Sequence, residues 1–145
     1  MSAIKEIIEV AIQREEDYYN FFFAYAKQLE DDEYKKLFYE LAQEELEHKE
    51  SLKAVIYEQI DKYDMTRLSE LQTAGFLTPL KISCELSVKE IWKAIIDKKK
   101  ETYAFYKLVA QMAPTQKLKS FYQNLANIEL ALNKRLEGLR TEDMC

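Results

Sequence analysis

One short run in this chain holds the residue types that bind metal ions: Glu45-Leu46-Glu47-His48, which contains the only histidine of the 145 residues. In a helix, residues three apart share a face, so the Glu45 carboxylate and the His48 imidazole can reach the same ion. Glu is so common in this part of the chain that the spacing alone carries little weight. The surroundings carry more. Glu45 and His48 fall on the face of Leu41, Leu52 and Val55, whereas Glu44 and Glu47 point elsewhere. Glu15 interrupts a second apolar stripe formed by Ala11, Ile12, Tyr18 and Tyr19, and Glu129 interrupts a third, among Leu125, Ala126, Leu132 and Leu136. Helical bundles that bridge metals with carboxylates draw on such inward Glu and Glu-x-x-His positions.

The elements that must position these groups are helices. Two Gly and two Pro in the whole chain are too few for the turns of a sheet protein. Apolar residues recur at helical spacing from Ser2 to about Gln28 and again from about Asp32 to Gln59, on either side of the acidic connection Glu30-Asp31-Asp32-Glu33. Residues 60–86 contain Gly75 and Pro79, lose the long period, and read as a crossover with a short helix over Thr66 to Ala74. Ser87-Val88-Lys89-Glu90 has the form of a capping box opening a third long helix that reaches about Met112. Pro114 suits the first turn of a fourth, which runs past Gly138 to about Arg140. Two short-looped hairpins joined by one long connection make an all-α, ferritin-like four-helix bundle, taken as a single domain over residues 1–145.

The hairpins are copies of each other. Lys5, Glu6, Tyr19, Phe21, Ala26, Lys35, Leu41, Glu45 and Leu52 recur as Lys89, Glu90, Tyr103, Phe105, Ala110, Lys119, Leu125, Glu129 and Leu136, always at the offset 89 − 5 = 84. Periodicity could align apolar with apolar, but it would not hold Tyr, Lys and Glu in one register through a helix, a turn and the next helix.

Ala11-Ile12-Gln13-Arg14-Glu15 with Phe21-Phe22, and Leu41-Ala42-Gln43-Glu44-Glu45-Leu46-Glu47-His48, resemble the first two helices of the rubrerythrin family. The resemblance implies that Glu15 and His48 are terminal ligands of one iron, and that Glu45 and Glu129 bridge to a second. It also implies a non-haem iron oxidoreductase of the peroxidase or ferroxidase type, if the chain is an enzyme. The second half departs from that pattern. Glu15 plus 84 is Lys99, His48 plus 84 is Leu132, and the further Glu that members often carry one turn later is here Thr102. Asp97 and Glu101 lie two residues from Lys99, on another side of the helix, and are poor replacements.

Three inward carboxylates need compensation, because an unpaired buried charge costs several kcal/mol. A single iron or manganese ion on Glu15, Glu45, His48 and Glu129 would supply it, with the Lys99 ammonium standing where the second ion would be. Alternatively the site is empty, with Lys99 paired to Glu45 and Glu129 and one carboxyl protonated. The corresponding functions are a metal-binding or oxidative-stress protein, or a metal-free relative with a structural or partner-binding role.

Composition narrows the partners. Net charge is −5 and the one basic run, Lys98-Lys99-Lys100, is too short for a nucleic-acid groove. No apolar run approaches the roughly 20 residues that span a bilayer, and Met1 to Glu6 lacks a signal-peptide layout, so the expected location is the cytoplasm. Cys84 and Cys145 form no C-x-x-C pair. The rubredoxin-like module appended to many rubrerythrins is missing from this sequence, so electrons, if used, come from an external donor. Tyr18 to Phe23 and the other aromatics are expected in the core or at a homodimer interface.

Overall fold

The computed structural model describes residues 3–73 and 88–138. Ser87, Gly75, Pro79, Ala74, Cys84 and Cys145, and with them the capping serine, the rest of the crossover and the expected end at Arg140, lie outside the described residues. Among the described residues there are four long helices: α1 (Ala3–Gln28), α2 (Asp32–Val55), α4 (Val88–Met112) and α5 (Gln116–Glu137). Two 3-10 turns, Ile60–Lys62 and Met65–Arg67, lead into the short α3 (Leu68–Thr73). Helix α1 packs along α2, and α4 along α5. This is the all-α, ferritin-like bundle expected from the repeat.

Local chemistry sets the helix ends. Asp31 caps α2 by accepting a 3.0 Å hydrogen bond from the Tyr34 amide, which satisfies one of the free N–H groups of the first turn. Helix α2 stops at Val55, four residues before the sequence reading placed its end, and Gln59 takes a left-handed φ of 48° that no right-handed helix can continue through. Pro114 precedes α5 instead of opening it. Thr115 is the cap, its hydroxyl accepting from Leu118 N at 3.2 Å, and a side chain that satisfies an exposed donor outweighs one that merely lacks a donor.

The core falls into two clusters at opposite ends of the bundle. One gathers Ile4, Ile8 and Ala11 of α1, Leu52 of α2, Tyr106 and Ala110 of α4, and Tyr122, Leu125 and Ala126 of α5. The other gathers Phe22 and Ala26 of α1, Phe38, Leu41 and Ala42 of α2, Trp92 and Ile95 of α4, and Leu132 and Leu136 of α5. Repeat partners sit in opposite clusters: Ile8 and Trp92, Ala11 and Ile95, Phe22 and Tyr106, Phe38 and Tyr122, Leu41 and Leu125, Leu52 and Leu136. An approximate two-fold axis running across the bundle produces that exchange, since it reverses each helix as it maps one hairpin onto the other. Burial of each large side chain contributes about 1.5–3 kcal/mol, so both ends are held firmly. Trp92 Nε1 also donates to Leu136 O at 3.1 Å, and Tyr63 ties the start of the crossover to α5 through a 2.8 Å hydroxyl contact with Tyr122. Between the clusters lies a polar layer.

Candidate metal centre

Four helices supply this layer, and each supplies it from the face that the apolar period turns inward. Glu15 comes from α1, Glu45 and His48 from α2, Lys99 from α4 and Glu129 from α5; the three carboxylates and the ammonium have no solvent exposure, and His48 has 6%. The neighbours point away as their spacing demands, with Glu47 and Asp97 exposed and Glu44 and Glu101 only partly covered.

Each carboxylate divides its oxygens between two tasks. Glu15 Oε1 accepts a 2.7 Å hydrogen bond from Tyr106. Glu45 Oε1 contacts Lys99 Nζ, and Glu129 Oε2 lies 2.9 Å from that same nitrogen. The other oxygens face one another across a shared space: His48 Nδ1 is 3.4 Å from Glu129 Oε1, 3.5 Å from Glu45 Oε2 and 3.7 Å from Glu15 Oε2. These four atoms are buried without a hydrogen-bond partner. One potential ligand atom from each residue lies within 4.8 Å of every other, the only such acid and histidine group among the described residues.

Such a cluster holds its protons unusually. Burial, then the charges of Glu45 and Glu129, pushes the Glu15 carboxyl well up. Burial would also raise Glu45, but the Lys99 ammonium and the adjacent Glu15 and His48 outweigh it and hold that carboxyl at about 2. For His48 burial acts downward, and Glu129, Glu15 and Glu45 together overcome it, raising the imidazole to about 12. Lys99 is likewise held protonated by Glu129, Glu45 and Glu15 against its burial. Without a metal, Lys99 and a protonated His48 therefore stand against Glu45 and Glu129, and the Glu15 carboxyl keeps its proton.

Further side chains hold these groups in place. Lys99 Nζ lies 4.0 Å from the centroid of the Tyr18 ring, a cation–π contact in a dry setting. Thr102 spends its proton on Lys98 O at 3.0 Å, so the Tyr18 hydroxyl donates to Thr102 Oγ1 at 3.2 Å. Tyr106 and Arg14 are the residues that reading the sequence missed. Tyr106 stands seven residues, two helical turns, beyond Lys99 and so shares its face, a signal that was available. Arg14 is 5% exposed, with Nη1 3.7 Å from Glu101 Oε2 on α4; nothing in a run of charged residues marks that one as covered.

A four-helix bundle of two related hairpins, with inward Glu and Glu-x-x-His residues meeting at its middle, defines the ferritin-like carboxylate class. Within that class the family model for rubrerythrin matches residues 6–138, and the chain belongs to the rubrerythrin family. No curated protein and no solved structure matches it. Among the described residues no helix is long and apolar enough to cross a membrane.

Proposed function

We propose that this protein binds a single metal ion through Glu15, Glu45, His48 and Glu129, with Lys99 serving as the second cation of the site. The observation that carries the reading is the set of four buried, unpartnered atoms, Glu15 Oε2, Glu45 Oε2, His48 Nδ1 and Glu129 Oε1, gathered around one space. Unsatisfied buried polar atoms are costly, and one cation would satisfy all four together. Three oxygens and one imidazole nitrogen suit iron or manganese. Bound iron would bring non-haem redox chemistry toward peroxide or oxygen, the chemistry implied by the family.

The residues do not fit a second ion. Its place in the repeat is taken by Lys99, which touches both would-be bridging carboxylates, and by Leu132, which has no lone pair to offer. Two-metal activation of oxygen needs two adjacent open ions, so slow peroxidase and ferroxidase turnover follows. Residues 1–145 act in this reading as one domain built around the centre.

The charge balance reached without a metal favours a second reading, a metal-free bundle in which the polar layer fixes helix register. Elemental analysis after expression in medium supplemented with iron and manganese separates the two. About one ion per chain supports the metal centre. No bound metal in wild type, under conditions where added manganese leaves the unfolding temperature unmoved, would establish the metal-free bundle instead.

A further inference from the structure

Among the described residues Lys99 is the one fixed positive charge inside the polar layer, and it shares Glu45 and Glu129 with the space where the four unpartnered atoms meet. We infer that this ammonium sets the oxidation state of the ion the centre accepts, making the site selective for a divalent over a trivalent cation; the inference rests on the metal-binding reading above. Once the ligands have given up their protons, Glu15, Glu45 and Glu129 carry three negative charges and Lys99 one positive. The remainder is two negative charges, matched by a dication. Removing one further electron would leave an uncompensated positive charge among side chains that have no solvent exposure, where nothing screens it.

Among the described residues the surrounding elements supply no counter-charge. From α1, Arg14 adds a positive group already paired with Glu101 of α4. From α2, His48 is neutral when it is a ligand. From α4, Tyr18's partner Thr102 is uncharged and stands one turn beyond Lys99, and Tyr106 offers a hydroxyl to Glu15. From α5, Leu132 is apolar. The repeat shows how large the change is: where the first hairpin has Glu15 the second has Lys99, a difference of two charge units at equivalent positions.

The test is a mediated redox titration of the iron-loaded protein, read by the ferric EPR signal, with the electron passing to the mediator. Replacing the ammonium by an uncharged chain of similar length, Lys99→Met, should shift the ferrous-to-ferric ratio at fixed potential toward ferric by about a hundredfold, the size expected for one unit charge a few ångströms away, which is a fall of about 120 mV in midpoint. Thr102→Glu places a carboxylate on the same face one turn along and should lower the midpoint in the same direction while keeping Lys99, so the inference stays testable where Lys99→Met does not fold. Lys99→Arg, which retains the charge, should stay within about tenfold of wild type, or about 60 mV. A midpoint that is unmoved or raised in Lys99→Met, or in Thr102→Glu, overturns the inference. Iron content measured on the same samples keeps the two ideas apart: iron bound with an unmoved midpoint removes only the role of Lys99, whereas no iron bound in wild type removes the metal centre and this inference together.

Discussion

Lys99 Nζ lies 2.9 Å from Glu129 Oε2 in the middle of the bundle, and neither side chain reaches solvent. An ion pair this deep is a poor source of net stability compared with apolar packing, yet breaking it from one side is severe, because the partner stays buried and charged.

Lys99→Ala should therefore destabilise the metal-free protein by about 3–5 kcal/mol, since Glu45 and Glu129 both lose their cation. Added manganese should restore part of the loss by binding the folded state. Denaturant unfolding with and without metal measures both effects. Unchanged stability in the metal-free variant would show that the ammonium is not what holds these carboxylates.

Metal uptake should release protons. The ion needs the lone pair that His48 uses for a proton held at about 12, and the Glu15 carboxyl whose proton burial retains. Near neutral pH about two protons should leave for each ion bound, so affinity rises with pH by about a hundredfold per unit and weakens on acidification. Calorimetric titration in buffers of different ionisation enthalpy counts them. A count of zero would mean that His48 and Glu15 are already deprotonated before the metal arrives.

Tyr106→Phe removes the donor that orients Glu15 and should weaken metal binding by about 10-fold or more, with a loss of about 1–3 kcal/mol in metal-free stability. Tyr122→Phe is the matched control. Its hydroxyl pairs with Tyr63, so it should cost stability without changing metal affinity. Equal metal affinities for Tyr106→Phe and wild type would rule out the orienting role.

The double change Lys99→Glu with Leu132→His gives the second hairpin what Glu15 and His48 give the first. Metal capacity should rise from about one to about two ions per chain, measured by elemental analysis after dialysis. Failure to gain a second ion would mean that the repeat does not place residues 99 and 132 where the two-fold axis puts them.

Much of this was legible before any coordinates. Glu15, Glu45, His48 and Glu129 could be picked out because each breaks an apolar stripe, and a stripe is an intrahelical property that a 3.6-residue period exposes. Lys99 and Leu132 could be named as the odd positions because the gapless offset carries Glu15 and His48 onto them. Where local rules compete, the sequence misleads: Pro114 suits a first helical turn yet precedes the helix that Thr115 caps, and the apolar period runs to Gln59 although α2 ends at Val55.

The sequence by itself thus determined the helices, their pairing into two copies, and which side chains turn inward, because all three depend on spacing along one chain. Only the tertiary structure decided how those side chains share their atoms. That Glu15 turns one oxygen to Tyr106 and the other to His48, that Lys99 lies over the Tyr18 ring while touching two carboxylates, and that Arg14 is covered by Glu101 of another helix are relations between helices. Their distances follow from how two apolar clusters pack at either end and set the width of the layer between them, a quantity that no periodicity along a single helix contains.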